Sequence, residues 1–160
     1  MPTNLYGPGD NFNLASSHVV PALIAKFHQA QAESLDHVEL WGTGKPMREF
    51  LHVDDMADAA VAVMNIPTET YRRAIGRAGT HINVGFGNDI SILEVAEMIS
   101  RIVGYNGLIR WNTDKPDGTY RKLLVSSRLR SFGWEPNIEL EIGLRETYSW
   151  FIANQGNLKR

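Results

Sequence analysis

The chain has 160 residues, 43% of them hydrophobic and 21% charged, with no cysteine and a formal net charge of -2. These values exclude a disordered or fibrous chain. At this length about 70% of the unfolded surface can be buried, which suits one substantial core better than two. Without cysteine there is no disulfide framework, thiolate metal site or thiol nucleophile, a composition that fits a reducing cytoplasm. No apolar run approaches the roughly 18 to 20 residues of a membrane span. The opening MPTNLYGPGD has neither the basic nor the apolar region of a signal peptide, so the expected location is cytoplasmic, with no membrane partner. Sixteen Lys and Arg against eighteen Asp and Glu leave no field to hold a polyanion, so no nucleic-acid partner is expected. Locally, Arg121, Lys122, Arg128 and Arg130 fall within ten residues. They read either as a solvated basic face or as a seat for a small phosphate.

In chain order, MPTNLYGPGDNF is rich in loop formers and predicts no element of its own. Ser16 and Ser17 offer N-caps to a helix over about 17–32, whose apolar residues Val20, Leu23, Ile24 and Phe27 recur at helical spacing with Pro21 in the first turn. HVELW (37–41) and MREFLHV (47–53), separated by Gly42-Thr43-Gly44, predict two short strands around a turn. Asp54 or Asp55 then caps a helix whose buried face is Met56, Ala59, Ala60, Val63 and Met64.

HINVG (81–85) reads as a buried strand, followed by a glycine turn and a helix that opens with a Ser91–Glu94 capping box and stops at Gly104. LIRW (108–111) predicts a strand and KPDGTYRK (115–122) a polar loop. A short helix near 127–132 and a longer one over about 139–153, using Ile142, Leu144, Tyr148, Trp150 and Phe151, complete the chain. Alternating strands and helices favour an α/β fold, but one long buried strand is too few for a doubly wound sheet. No GxGxxG follows a strand, because Gly85-Phe86-Gly87 lacks the third glycine, and no Tyr-x-x-x-Lys occurs.

Several strings together resemble the C-terminal half of the GDP-L-fucose synthase family, within the extended short-chain dehydrogenase/reductases of the NAD-dependent epimerase/dehydratase group. NLYGP (4–8) and REFLHVDD (48–55) are similar to strings found throughout the nucleotide-sugar branch. SSHVVPALIAKFH (16–28), WGTGKPMREF (41–50) and KPDGTYRKLL (115–124) resemble the fucose synthases in particular, in the family's order. One departure is Val125, where the family usually has Asp after RKLL. The resemblance implies an α/β fold carrying the substrate-binding portion of a Rossmann-fold enzyme, with only part of the parallel sheet. Residues 1–160 would form one such half. The dinucleotide fingerprint, the Ser, Tyr and Lys catalytic set and a cysteine acid-base partner would belong to an N-terminal Rossmann half. The resemblance also implies a homodimer formed through that half in the full-length family.

On its residues alone, His18 is a capping or surface histidine; the SSHVVP match implies the family's acid-base histidine. A 4-keto sugar has acidified C–H bonds at C3 and C5, and inverting them requires groups that titrate near neutrality. Pro2, Thr3, Asn4 and Leu5, read by themselves a turn, match the segment at the nicotinamide end of NADP(H), with His18 on the same wall. Lys26, Trp41, Arg48, Asp117 and Lys122 match positions around the GDP-sugar. By themselves they are an exposed helix lysine, a core-finishing tryptophan, an edge-strand arginine, a turn former and one of the basic cluster. No metal site is expected: His52, Asp54 and Asp55 lack a fourth ligand at suitable spacing, and the aspartates serve better as a helix cap.

The expected activity is thus GDP-L-fucose synthesis from GDP-4-keto-6-deoxy-D-mannose by 3,5-epimerisation and NADPH-dependent reduction at C4, these residues alone being catalytically incomplete. The alternatives are another nucleotide-sugar epimerase or dehydratase of the superfamily, and a non-catalytic nucleotide-sugar-binding module or truncated gene product.

Overall fold

The computed structural model describes residues 1–76 and 79–157. The last three residues of the 1–160 span lie outside the described residues. The fold is α/β, as expected, but its strands form three small sheets. β1 (Asn4–Tyr6) pairs in parallel with β4 (Phe50–His52). β2 (His37–Trp41) pairs in parallel with β6 (Leu108–Asn112). β3 (Met47–Arg48) lies between β5 (Ile90–Ser91), antiparallel to it, and β7 (Arg121–Lys122), parallel to it.

Two expectations change here. The opening segment does form a strand, β1, because its partner β4 lies 46 residues away and local pattern does not reveal it. The strands at 37–41 and 47–53 do not pair around a turn. The Gly42 amide instead bonds the Asn112 carbonyl and prolongs the β2–β6 ladder, after which the chain crosses to a different sheet. Gly42 itself has φ +79°, a region that favours glycine.

α1 (Val19–Ala32) buries Val20, Leu23, Ile24 and Phe27, the face its spacing predicts. Its N-cap, however, is His18, with no side-chain cap hydrogen bond; the amides of Ser16 and Ser17 close a turn on the Asn13 carbonyl just upstream. α2 (Val53–Met64) is capped by His52, whose Nδ1 accepts from the Asp54 amide at 3.3 Å, rather than by an aspartate. Asp55 is buried and accepts from the amides of Asn137 and Ile138, both at 3.0 Å, pinning the approach to the last helix. Only part of the predicted α2 face is covered. Ala59 is buried and Met56 and Val63 are half-buried, while Ala60 and Met64 are exposed.

α3 (Thr68–Ile75) has no fully buried residue; it packs Tyr71 and Ile75, one turn apart, against the smaller core, a stripe too short for the sequence reading to pick out. HINVG is extended with Ile82 and Val84 buried, but its pairing is a single bridge from Val84 to Pro2 rather than a ladder. α4 (Ile92–Val103) has the predicted Ser91–Glu94 capping box and ends at Gly104 with φ +80°. α5 (Ser127–Arg130) is short, and α6 (Leu140–Asn154) buries Leu144 and Phe151 but leaves Ile142 exposed.

The apolar interior divides in two, where length alone favoured one core. Strand alternation explains the division: Phe50 and Leu51 are adjacent on β4 and point to opposite faces. Phe50 joins α1, α4 and α6 in the larger cluster, whereas Leu51 joins Ala59, Ile82, Val84, Leu129 and Trp134 in the smaller. Among the described residues no helix is long and apolar enough to cross a membrane.

Candidate functional site

β1 and the loop after it, the start of α1 and the strands β3 and β4 converge on a cavity of about 620 Å³. Pro2, Thr3, Asn4 and Leu5 form one wall, Asp10 and His18 another, and Arg48, Phe50 and Val53 a third. Six of the ten residues singled out from the sequence therefore meet in one space. Thr3 Oγ1 and Asn4 Nδ2 both donate to the Glu49 carbonyl, at 3.2 and 2.7 Å, which fixes that wall to the strand bearing Arg48.

His18 is exposed at the N-terminus of α1 and lines the cavity, its imidazole unoccupied by capping. Val19 and Val20, first in the helix, line the same cavity. The first amides of a helix lack intrahelical acceptors and carry the positive end of its dipole, so negative charge developing near them is favoured.

Lys122 stands outside the cavity but is not remote. The β3–β7 register sets Arg48 opposite Lys122 and Met47 opposite Arg121. Directly opposed residues share a face and neighbouring ones alternate, so Arg48 and Lys122 form a paired cationic edge while Arg121 faces away. Arg121 instead meets Asp89 through Nε at 2.5 Å and Nη2 at 3.0 Å. Arg130 donates to the Phe86 carbonyl at 2.6 Å. Arg128 lines a separate, smaller cavity with His81 and Asn83, so the four basic residues close in sequence do not share one seat, and of the four it is Lys122 that stands in register with Arg48.

Lys26, Trp41 and Asp117 form a second group at the end of β2. Trp41 is 66% exposed, so it does not finish a core. The ammonium of Lys26 lies 5.9 Å and that of Lys115 5.4 Å from its ring centroid, and Lys26 also donates to the Glu39 carbonyl. Asp117 receives the Thr43 amide at 2.8 Å and hydroxyl at 2.6 Å, so its carboxylate shapes the turn after Trp41. The neighbouring Gly118 lies against the Arg48 guanidinium, 3.0 Å from where a Cβ would stand, and so joins this group to the cationic edge.

Val125, where the resembled family has Asp, is exposed, and its carbonyl accepts from Asn83 Nδ2. The loop before it is held by Glu49, a residue the sequence reading missed. Its only signal was a carboxylate interrupting a strand pattern between Arg48 and Phe50. Asp10, on the cavity wall, was missed as well, hidden in a glycine-rich loop.

The titration of several hydrogen-bonded carboxylates has a definite sign. Hydrogen bonds from Arg121 hold Asp89 below its usual value of 3.8, those from Thr43 do the same for Asp117, and those from Ser91 lower Glu94 from 4.5. Their stabilisation is complete above those ordinary values and is lost as pH falls through the lower folded ones. Asp10 is shifted upward, chiefly by burial, and acts in the opposite sense. As Asp89, Asp117 and Glu94 take up protons and their hydrogen bonds are lost, thermal melting is expected to drop as pH falls below about 4.5. A melting temperature that held or rose below that pH would contradict these assignments.

The same chain pattern recurs in known proteins. The model of the NAD dependent epimerase/dehydratase family matches residues 1–85. The GDP-L-fucose synthase of Escherichia coli (strain K12) is 50% identical over 159 residues, covering 99% of this chain and 50% of that protein. The probable GDP-L-fucose synthase 1 of Oryza sativa subsp. japonica is 47% identical over 160 residues, covering 100% and 46%. A GDP-L-fucose synthetase from Naegleria fowleri, also solved bound to NADP, superposes with a TM-score of 0.86 at 30% identity, covering 99% of this chain and 47% of that one. The chain therefore spans about half the length of the curated relatives it matches. With its α/β fold, its β1–loop–α1 cavity and a family match over more than half its residues, the chain belongs to the NAD dependent epimerase/dehydratase family.

Proposed function

We propose that these residues are the substrate-binding portion of a GDP-L-fucose synthase, acting on GDP-4-keto-6-deoxy-D-mannose to give GDP-L-fucose. The observation that carries the reading is the cavity in which His18, the Pro2–Leu5 wall and Arg48 meet, together with the names of the relatives at 47–50% identity. The keto-sugar would lie in the cavity with its C3 and C5 facing His18. The 4-keto group acidifies both C–H bonds. A base on one face takes the proton, the negative charge passes to the carbonyl oxygen near the first amides of α1, and His18 returns a proton to the opposite face. Atoms balance at each centre, since one C–H bond breaks and another forms. The base would be the cysteine of the Rossmann half that the resemblance implies.

The cofactor is NADP(H), which supplies hydride to C4 when bound. The wall from Pro2 to Leu5 fits its nicotinamide end: it joins the apolar side chains of Pro2 and Leu5 to polar ones already fixed on the Glu49 carbonyl, with His18 on the adjoining wall. Arg48 and Lys122 would take the diphosphate. Asp117 and Trp41, with Lys26 beside it, would receive the ribose and base. As in the resembled family, the complete enzyme would be a homodimer.

Calorimetric titration of the full chain with GDP, UDP and dTDP tests the reading. GDP should bind most tightly. Each charge-assisted bond contributes about 1.5–3 kcal/mol, so Arg48→Ala and Lys122→Ala should each weaken GDP by about tenfold or more. Equal affinity for UDP would favour another nucleotide sugar. No loss in either variant would remove the cationic edge from the phosphate site.

A further inference from the structure

Glu49 occupies the one-residue gap between β3 and β4, where the chain leaves one sheet for another. It is fully buried. Its side chain meets two main-chain amides from separate segments: Oε1 accepts from Gly87 at 2.7 Å and Oε2 from Leu124 at 3.1 Å. A Cβ placed on Gly85 would collide with that carboxylate, so the glycine turn is shaped around it. Its carbonyl, at the break between the ladders, is the acceptor shared by Thr3 and Asn4.

One residue thus ties together the β1 wall, the glycine turn and the segment that carries Lys122. Arg48 is its immediate neighbour, and the two-residue strand β7 is held on β3 by the Met47–Arg121 and Arg48–Lys122 register pairs and by the Met47 amide on the Tyr120 carbonyl, with Asn83 bonding the Val125 carbonyl further on. A ladder so short has little hold of its own. The Leu124 amide, two residues beyond Lys122, anchors β7 to the Glu49 carboxylate. Asp89 restrains β7 from the other face through Arg121, but that ion pair is exposed at Arg121 and therefore screened. The Glu49 carboxylate is fully buried, so its part-buried bond to Leu124 is screened less.

We propose that Glu49 is a positioning residue: its carboxylate holds the Leu124 and Gly87 amides so that Lys122 stays in register with Arg48 and the two present one anion-binding edge. The structural part stands on the hydrogen bonds. The ligand part rests on the reading that this edge takes the diphosphate of a GDP-sugar.

The test uses Glu49→Gln in the full chain, because glutamine keeps the volume but turns one acceptor into a donor facing an amide, and Glu49→Asp as a second variant that keeps the carboxyl group at shorter reach. Amide hydrogen exchange is read residue by residue, beside GDP titration and thermal melting. In Glu49→Gln, exchange at Leu124 or Gly87 should accelerate about tenfold, with α1 and α4 amides unchanged, and GDP should weaken by a similar factor. Glu49→Asp should recover part of both. Unchanged exchange at both amides would overturn the proposal, as would a uniform acceleration that tracks a fall in melting temperature. Should wild-type chain fail to bind GDP, the functional reading fails, while the exchange pattern still decides whether Glu49 holds the segment. Should exchange accelerate locally with GDP affinity intact, the anchoring is real but does not serve the anion, and the proposed role is wrong.

Discussion

His18→Asn is expected to slow the entry of solvent deuterium into C3 and C5 of GDP-4-keto-6-deoxy-D-mannose by about 10² to 10⁴-fold in the complete enzyme, the usual worth of one positioned acid or base. In barrier terms that is roughly 3–5 kcal/mol. The substitution suits the position. His18 makes no side-chain cap bond, and asparagine is among the best N-caps, able to accept from an early amide of α1. The helix should therefore hold or gain stability while the proton donor is lost. Melting temperature and GDP affinity serve as controls and should stay near wild type. Wild-type deuterium entry in a folded, GDP-binding variant would remove His18 from the chemistry.

Phe27→Ala should destabilise the fold by about 3–5 kcal/mol, the range for deleting a buried aromatic ring. Phe27 is fully buried in the larger cluster, its ring 5.7 Å from that of Tyr105, just beyond the end of α4. Whole domains are stable by only about 5–15 kcal/mol, so the loss takes much of the margin. It also reaches the site, because α1 carries His18 at its N-terminus and is held to the body by this face. Urea denaturation followed by circular dichroism measures it as a lower midpoint at constant slope. A shift equivalent to less than about 1 kcal/mol would mean that the neighbouring side chains collapse into the space.

Features that depend on neighbours in sequence were legible without coordinates. The spacing of Val20, Leu23, Ile24 and Phe27 marks one face of α1, and Ser91 with Glu94 and Gly104 marks both ends of α4, because capping groups act within a single turn. The family was also legible, from strings such as SSHVVP and REFLHVDD, which is consistent with the match over residues 1–85. With it came the expectation that His18, Arg48 and the Pro2–Leu5 segment serve one site; they line one cavity, though nothing in their spacing required them to meet.

What the tertiary structure alone decided concerns partners distant along the chain. β1 exists because β4 is there to receive it, and the strand at 37–41 pairs with 108–112 rather than with the segment next to it. A short parallel strand carries too little pattern to name its partner, since pairing is set by the loops and helices that deliver the two segments. The basic cluster shows the same division. Sequence put Arg121 and Lys122 side by side, but strand alternation sent one to Asp89 and the other to Arg48. Glu49 looked like an ordinary charged residue until the fold placed two amides on its carboxylate. Residue types and local spacing therefore determined the buried face of α1, both ends of α4 and the family, while α3 and the caps of α1 and α2 were not legible. The choice of strand partners and the burial of Glu49 came only with the packed chain, because non-local pairing and desolvation are properties of contacts that no local window contains.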